Sequence, residues 1–587
     1  MRRLRRLIVL LPLLLLPLAA HAGVRLTVKG VDDPLKSAVR SGLTLSQYAN
    51  RPVSEAQIRR LYEDAPDEVR DALEPYGYYE PLVQGSLTRA GTNDWQVTLT
   101  VKPGEPVRIT EVHVKLDEAA LAIPAVRRAE RAVEQLKGDV LDHGAYSKAR
   151  DGVSGALTAN GFLGAKLVTH QVRVTRADHS AVVDLAWQAG PRYRFGKVAF
   201  DGSQFEPGFL QRFVPFERGD YFDQADLLRL QQALNGADYF SVVNVRPDVD
   251  DAGRTVDVEV ELQPAKRSVY TGGPFFGTDT GFGVRAGLER RWVNSLGHKW
   301  KNELVVAQRL KTLSSLYMIP LPGGEQRSLN FGVNFRDADT VTSQSRTLEL
   351  VGNHTDLWHG WTRTVGAHAL IGTFTVGKRG NEPDNAPGIE RGRSKLVFAE
   401  ASLSKKHGDN PTFVRHGWSL SVYARSTAGS LLSDTRFSQL AADAKWINAF
   451  TRRDRLILRA SAGITSTGDF SSLPPQLRFF AGGDRSVRGY GYQAIGPRNS
   501  FDRVIGGRNL LVASTEVEHY FTRNWGMAAF VDAGNAFNGT DYRPRLGAGL
   551  GVRWLSPVGM VRVDVGTPIH DEHAHGIQLH VVIGPDL

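Results

Sequence analysis

The feature that most constrains this chain is a series of alternating segments that begins near residue 267 and continues towards the C-terminus. In these segments apolar residues occupy every second position, and glycines, charges or amides lie between them. A period of two places the two sets of side chains on opposite faces of a β-strand. Four segments show the pattern most clearly: 281–290, 546–554, 560–565 and 577–583. The second half of the chain is therefore predicted to be all β.

The charged face of these segments separates a membrane barrel from a soluble sandwich, which has the same period. Arg285, Glu289, Arg562 and Asp564 lie opposite the apolar residues of their segments. Repeated inward charges need a hydrated interior, whereas a continuous apolar outer face suits lipid. Because lipid leaves no tolerated sheet edge, the sheet must close. About 320 residues at about 20 per strand and connection predict a transmembrane antiparallel β-barrel of about 16 strands over 267–587.

The N-terminus has the pattern of a secretory signal peptide over residues 1–22. Four arginines precede an apolar run over residues 7–20, and Ala20-His21-Ala22 forms a small-x-small cleavage site. The apolar run is too short to span a bilayer as a helix. The mature chain is expected to begin at Gly23, with an uncleaved anchor as the alternative.

Composition limits the classes of partner and the means of stabilisation. The chain has no cysteine, so an exported protein of this length must be stabilised by its size and packing. Its 72 basic and 62 acidic residues give a net charge of +10, to which the predicted signal peptide contributes four arginines. The remaining charge is too small to indicate nucleic acid as a partner.

One pattern recurs three times before the alternating half. Each copy has a helix, a glycine- and aromatic-rich end, a strand, a turn and a second strand. The closing strands at 95–101, 181–187 and 255–262 alternate apolar and polar residues. Helix starts are predicted by Asp33-Pro34 and by the capping box at Ser54. The units are predicted to be α+β domains of β-α-α-β-β order over residues 23–103, 104–191 and 192–265.

The order of elements and the Gly-aromatic ends of these units resemble POTRA domains, which are periplasmic modules that hold substrate chains. The ends are Tyr76-Gly77-Tyr78, Gly161-Phe162 and Asp238-Tyr239-Phe240. Generic α+β spacer domains are the alternative.

A stretch of about forty residues, roughly 465–505, has neither a helical nor a strand pattern. Loops of this length are uncommon in folded domains and are usually functional or disordered. Its aromatic and apolar content is too high for a solvated linker. It contains Gly482-Gly483-Asp484-Arg485-Ser486-Val487-Arg488-Gly489-Tyr490-Gly491-Tyr492. The planar fork of Arg488 suits a fixed carboxylate partner.

Motifs in the second half resemble the BamA/TamA outer-membrane insertase family. Val487-Arg488-Gly489-Tyr490 is similar to the VRGF/Y signature of the family's sixth extracellular loop, which lies between the eleventh and twelfth strands. Residues 530–535 resemble its F-x-D-x-G strand motif, and residues 549–559 and 564–568 resemble its closing strand pair. The resemblance covers the whole mature chain, although the chain lacks the usual C-terminal aromatic residue.

The resemblance implies an outer-membrane protein with its POTRA domains in the periplasm. It implies an assembly factor that inserts or translocates β-barrel proteins such as autotransporters through a lateral seam between the first and last strands. Three POTRA domains favour the TamA branch, since BamA has five. The implied partners are an inner-membrane-anchored periplasmic protein of TamB type, unfolded outer-membrane client proteins and outer-membrane lipid. The alternative is a two-partner-type secretion pore for a dedicated exoprotein, a class with two POTRA domains and a plug helix.

The resemblance to this family, together with strand parity, predicts two sets of site residues: the lumen partners of Arg488 and the residues of the lateral seam. Strand parity places Asp532 on the inner face as the first-choice partner of Arg488, with Glu516 and Glu518 as second choices. The seam is predicted between a first strand at 281–290 and a last strand at 576–583. Its residues would be Gly281, Val284, Leu288, Ile577, Leu579, Val581 and Ile583.

No motif indicates an enzyme. The chain has no G-x-S-x-G, no P-loop and no H-E-x-x-H. His570, His573 and His575 stand beside acidic residues, but a solvated polar turn explains them better than a metal site. The expected mechanism is mechanical and uses no cofactor.

Overall fold

A computed structural model gives the structure of residues 23–584 with short gaps, and the predicted signal peptide at 1–22 lies outside the described residues. The gaps are residues 92–93, 323–326, 381, 384, 411–412, 428, 430–431, 557–558 and 572–573. The chain divides into two compact units. One holds the first two repeats and part of the third, and the other holds the rest of the third repeat and the barrel.

Each repeat forms a three-stranded sheet with helices between its first two strands. The first repeat contains β1 (Val24–Lys29), α1 (Leu35–Gly42), α2 (Glu55–Leu73), β2 (Leu82–Arg89) and β3 (Trp95–Lys102). The second contains β4 (Arg108–Lys115), α3 (Glu118–Leu121), α4 (Pro124–Glu134), α5 (His143–Ala159), β5 (Lys166–Thr175) and β6 (Ser180–Gln188). The third contains β7 (Arg194–Asp201), α6 (Pro207–Leu210), α7 (Gln224–Gly236), β8 (Phe240–Asp250) and β9 (Thr255–Pro264).

Local sequence explains these elements. Ser54 caps α2, because its side chain accepts a hydrogen bond from the Gln57 backbone N–H at 3.3 Å. Along β3, Trp95, Val97 and Leu99 are buried in the core of the first repeat, as the alternation predicts. The last strand of each repeat lies in the middle of its sheet, in the orders β1-β3-β2, β4-β6-β5 and β7-β9-β8.

Among the described residues, the outer edges of β2, β5 and β8 are not continued by a further strand. The outer edges of β4 and β7 are instead hydrogen-bonded to residues 138–141 and 219–221. Leu82 at the start of β2 is 69% exposed. An exposed strand edge can pair with another extended chain. No helix in the described residues has the length and hydrophobicity needed to cross a membrane.

The second half forms one sheet of sixteen antiparallel strands in sequential order, which confirms the predicted fold class and strand number. The first eight are β10 (Ser268–Gly277), β11 (Gly281–Arg290), β12 (Lys299–Ala307), β13 (Leu310–Pro320), β14 (Ser328–Asp339), β15 (Ser343–Trp358), β16 (Trp361–Val376) and β17 (Glu390–Gly408). The last eight are β18 (His416–Thr427), β19 (Phe437–Ala449), β20 (Asp454–Thr467), β21 (Asn509–Tyr520), β22 (Trp525–Phe537), β23 (Arg545–Ser556), β24 (Gly559–Ile569) and β25 (Gln578–Gly584).

Burial along the strands separates an apolar outer face from a polar inner face. Val517 and Val531 are 43% and 53% exposed, whereas Glu516, Glu518 and Asp532 on the same two strands are at most 5% exposed. The alternation is that of a closed sheet with lipid outside and polar groups within. These three inner carboxylates are buried, whereas Glu303 on the inner face of β12 has a side chain that is 51% exposed.

The predicted first and last strands need correction. Residues 281–290 form the second barrel strand, β11, because β10 precedes it and pairs with it throughout. The seam residues Gly281, Val284 and Leu288 therefore lie one strand away from the edge. The last strand begins at Gln578, so Ile577 lies just before it.

The edges of the sheet are β10 and β25, the first and last strands in its order. Among the described residues β10 is hydrogen-bonded to β11 and β25 to β24, and no ladder joins the two edge strands. The strand β25 has seven residues, compared with nineteen in β17. The barrel is thus nearly closed, with a seam between a short last strand and β10.

Candidate functional site

The chain between β20 and β21, residues 468–508, forms the lumen loop, which lies between the eleventh and twelfth strands of the barrel. Its apolar residues Val487 and Tyr490 are buried and pack against Val512 of β21. Arg478 organises the loop from within, because its guanidinium donates to the carbonyl oxygens of Ser471, Leu473 and Ile505 at 2.8–3.1 Å. These contacts hold the loop inside the barrel.

Arg488 is the most highly connected side chain of the loop. Its Nε and Nη2 donate to the two oxygens of Asp532 at 2.8 and 3.0 Å, and its backbone N–H donates to the same carboxylate at 2.9 Å. Its Nη1 donates to Glu516 at 2.7 Å and to Asp564 at 3.0 Å. The guanidinium also stacks 3.5 Å above the ring of Phe530. A planar fork satisfied on every side is a strong and directional anchor.

The contacts of Arg488 continue into a line of alternating charges along the inner wall. Glu516 accepts from Arg553 Nη2 at 2.6 Å, Arg553 Nε donates to Glu518 at 2.8 Å, and Glu518 accepts from Arg455 Nε at 2.5 Å. Glu516, Arg553 and Glu518 each lie between two opposite charges. We call the set the charge cluster: Arg455, Arg459, Arg488, Arg553, Glu516, Glu518, Asp532 and Asp564.

The structure places Asp532 and Glu516 in contact with Arg488, but Glu518 pairs with Arg455 and Arg553 instead. Glu518 lies two residues further along β21 than Glu516. At that position it pairs with wall residues and not with the loop. The contacts of Asp564 and Arg553 were not foreseen. Both lie on the inner face by the same parity that selected Asp532, so alternation contained the signal for them.

The backbone of the lumen loop contacts the barrel wall at glycines, which have no side chain. Gly489 has φ +94°, a left-handed conformation that glycine adopts readily, and a Cβ there would lie 2.7 Å from the carbonyl carbon of Thr567. A Cβ on Gly547 of β23 would overlap the carbonyl oxygen of Arg488, and one on Gly566 of β24 would lie 2.8 Å from the Gly489 nitrogen. Glycines on both surfaces therefore allow the loop to dock.

Gly547→Ala is expected to displace the loop, because the new methyl group would meet fixed backbone and not a flexible side chain. We expect the variant to become sensitive to protease between residues 482 and 492 and to lose thermal stability. Limited proteolysis in detergent and heat-modifiable gel migration measure the two effects. Gly468→Ala, where a Cβ has no neighbour within 4 Å, is the matched control. Wild-type protease resistance in Gly547→Ala would contradict the close approach.

The lumen loop contacts both sides of the seam. Its Gly489 N–H donates to His580 Nε2 of β25 at 3.1 Å. On the other side, Asp279 in the turn between β10 and β11 lies beside Gly483 of the loop. A Cβ added to Gly483 would be 3.2 Å from a carboxylate oxygen of Asp279. Burial, together with the facing carboxylate of Asp484, raises the pKa of Asp279 from 3.8 to about 7.

This pair predicts a pH dependence. The folded protein binds the Asp279 proton more tightly than the unfolded chain, so the stability that protonated Asp279 contributes falls as pH rises from about 4 to about 7. Between pH 5 and 8 the wild type should lose more thermal stability than Asp279→Asn, which cannot ionise. Melting temperatures of both proteins in the same detergent measure the difference. Parallel curves would show that Asp279 does not titrate in this range.

The site has the character of a structural clamp. Among the described residues no group of three or more histidines and carboxylates is placed to hold a metal ion. His573 of the predicted polar turn lies outside the described residues. The charge cluster holds the loop backbone at Arg488 against a wall of five neighbouring strands, β20 to β24.

The class of protein is defined by a sixteen-stranded barrel that follows three small α+β repeats and has a loop anchored in its lumen. Residues 275–585 match the Omp85 superfamily domain, which is more than half of the chain. The chain therefore belongs to the Omp85 superfamily. Residues 25–103 match the model described as POTRA domain TamA domain 1, and residues 193–265 match a POTRA model described as surface antigen variable number repeat.

Two curated relatives are outer membrane protein assembly factors BamA. The protein of Nitratidesulfovibrio vulgaris is 24% identical over 430 residues, which cover 69% of this chain and 52% of the relative. That of Neisseria meningitidis serogroup B is 18% identical over 253 residues, covering 40% of this chain and 30% of the relative. The chain matches about half, or less, of the length of these relatives.

The fold is shared with a solved structure of BamA from Haemophilus ducreyi lacking POTRA domains 1–3. That structure has a TM-score of 0.66 and 17% sequence identity, and the match covers 81% of this chain and 99% of the other. Together with the family match, the fold confirms the expected resemblance to the BamA/TamA family. The protein is an outer-membrane β-barrel protein with periplasmic POTRA domains.

Proposed function

We propose that this protein is an outer-membrane assembly factor that inserts or translocates β-barrel clients, such as autotransporters, through the seam between β10 and β25. The activity is mechanical and requires neither a catalytic residue nor a cofactor. A client strand in lipid cannot leave its backbone groups unpaired. An edge strand exposed at the seam would supply partners for those groups one strand at a time.

The observation that carries the proposal is the seam itself. The edge strands β10 and β25 share no ladder in the described part of the barrel, while every other neighbouring pair does. Each net hydrogen bond contributes only about 1 kcal/mol, so parting edges that lack a ladder costs little. Pro274 within β10 has no N–H to donate, as is common in edge strands.

A secretion pore for a dedicated exoprotein is the competing proposal. It would need a passage through the lumen, and the buried contacts of Val487, Arg488 and Tyr490 fill part of that lumen in this structure. An insertase can retain these contacts while its wall opens, whereas a pore must release them.

Reconstitution tests the proposal. The full chain is placed in phospholipid vesicles, an unfolded β-barrel client is added, and the folded client is measured by its heat-modifiable migration. We expect faster client folding than in empty vesicles or in vesicles with an unrelated barrel of similar size. If client folding is not accelerated, but an exoprotein crosses into the vesicles, the secretion-pore proposal replaces the assembly proposal.

The partner proposal rests on the first repeat. Its match to a TamA POTRA model over residues 25–103 supports the TamA branch, and with it a periplasmic partner of TamB type anchored in the inner membrane. The proposed domains remain 23–103, 104–191, 192–265 and 267–587. The outer edges of β2, β5 and β8 are the proposed contacts for this partner or for unfolded clients.

A proline in the middle of an edge strand is expected to weaken partner binding, because it removes a backbone donor and its ring obstructs pairing. Suitable variants are Ser86→Pro in β2, Gln171→Pro in β5 and Arg246→Pro in β8, each compared with alanine at the same position. Co-purification of the partner with the full chain measures binding, and protease resistance checks that the domain is folded. Unchanged co-purification in all three folded variants would exclude these edges as docking surfaces.

A further inference from the structure

A cavity of about 340 Å³ lies at one end of the barrel, where residues 413–415 and the turns at 450–453 and 521–524 meet. The strand β10 starts directly after the last POTRA repeat, and the strands alternate in direction, so these turns lie at the periplasmic end. The lining includes five arginines and a single carboxylate: Arg415, Arg452, Arg453, Arg455, Arg523 and Asp454. The cavity is therefore strongly basic.

Two of the five arginines build the cavity. Arg415 donates to the carbonyl oxygens of Thr451 and Arg452 at 2.7 and 3.0 Å, which ties two turns together. Arg455 lies 4.2 Å from the centre of the Phe413 ring and is paired with Glu518. These contacts hold Arg415 and Arg455 in place on the lining of the cavity.

The other three arginines are available to a ligand. Arg452, Arg453 and Arg523 are exposed, and within the described residues their guanidinium groups have no ion pair. The lining carboxylate, Asp454, is already bonded to His519 at 2.6 Å. Three uncompensated guanidinium groups around one concavity favour a ligand with several acceptor oxygens and negative charge, as a phosphate group has.

The aromatic residues beside the cavity indicate its level relative to the membrane. Phe521 lines the cavity and is 49% exposed, and Phe450 in the adjacent turn is 58% exposed. Trp525 and Trp554 stack on the outer face of the neighbouring strands with ring centres 5.6 Å apart. Exposed aromatic side chains at the end of a membrane barrel mark the level of the lipid headgroups.

We propose that this cavity binds the phosphate group of a phospholipid from the periplasmic leaflet. Arg452, Arg453 and Arg523 would hold the phosphate oxygens, and Phe521 and Phe450 would contact the start of the acyl chains. Basic pockets at the headgroup level are suited to this chemistry. Free phosphate shares the charged contacts but not the aromatic ones, so the aromatic face favours the lipid. The site is independent of the proposed assembly function.

The test is lipid binding to the full chain in a neutral detergent, followed by native mass spectrometry. Dioctanoyl phosphatidylglycerol is the probe, and dioctanoylglycerol, which lacks the phosphate, is its matched lipid control. We expect the phosphatidylglycerol to bind with a stoichiometry of one, and the triple variant R452Q/R453Q/R523Q to bind it at least tenfold more weakly. The control variant R379Q/R498Q/R543Q loses the same charge at the opposite end of the barrel and should bind like the wild type.

The other outcomes overturn the proposal. Equal binding by both triple variants would mean that net charge, and not this cavity, attracts the lipid. Displacement of the lipid by equimolar inorganic phosphate would assign the site to free phosphate. A short acidic peptide that binds where phosphatidylglycerol does not would assign it to a protein segment. Heat-modifiable migration verifies that each variant is folded before binding is compared.

Discussion

Arg488→Ala is expected to destabilise the folded barrel by about 3–5 kcal/mol and to abolish client assembly, since it removes one partner from a buried ionic network. The change deletes donors to Asp532, Glu516 and Asp564. Arg553 continues to pair with Glu516 and Asp564, so Asp532 loses the most. The nearest remaining cation, Arg459, lies 3.8 Å from Asp532.

A double-mutant cycle isolates the pair. Asp532→Ala should also be harmful, although Arg488 keeps its contacts with Glu516 and Asp564. The double variant should be much less harmful than the sum, because each single change already removes the contacts between Arg488 and Asp532. Denaturant unfolding measures stability, and the vesicle assay measures assembly. Strictly additive effects would show that the two side chains act independently.

Arg346→Ala is the matched control, because Arg346 also pairs with a carboxylate of a neighbouring barrel strand. Its Nη2 lies 3.1 Å from Asp337, but its side chain is 66% exposed. An exposed pair of this kind contributes at most about 1 kcal/mol. A loss of stability in the control equal to that of Arg488→Ala would attribute the effect to charge removal in general.

The second large effect is expected from a disulfide that closes the seam. The chain has no native cysteine, so an engineered pair between β10 and β25 would form the only intramolecular bridge. Cysteines at Thr271 or Gly273 are tested in turn against Leu579 or Val581. We expect an oxidised bridge to reduce client assembly at least tenfold and reductant to restore it, because a covalent bond prevents the edges from parting.

The control bridge is placed in the far wall, where Leu350 of β15 and Ala369 of β16 are paired directly in the ladder. It crosses a pair of strands that need not separate, so assembly should proceed at the wild-type rate. Gel migration without reductant quantifies each bridge. If a fully bridged seam still assembles clients normally, lateral opening is wrong and passage through the lumen becomes the leading mechanism.

The sequence predicted the architecture where the signals are local. Alternation identified the barrel strands, and the cap at Ser54 located the start of α2. It missed the first barrel strand because Gly272-Gly273-Pro274 interrupts the alternation of β10. A proline in a predicted strand indicates an edge, and β10 is an edge strand.

The charge cluster was only partly predictable. Parity places Asp532, Asp564 and Arg553 on the inner face, but it does not bring together residues separated by long stretches of chain. Arg455 and Glu518 are 63 residues apart and pair only because β20 and β21 are neighbours on either side of the lumen loop. Register and loop position are tertiary facts, so the choice between Glu516 and Glu518 could not be made from the sequence.

The shortness of β25 has a consequence for the surrounding bilayer. Seven residues at about 3.3 Å each, tilted by about 40°, span a height of about 18 Å, against an apolar band of about 25 Å in barrels of this type. Lipids beside this strand must shorten or tilt to cover it, at a cost of a fraction of a kcal/mol per Å of mismatch. Under the proposed assembly function, the bilayer would be thinned where a client strand enters, and the hydrocarbon that this strand has to cross would be reduced at that point.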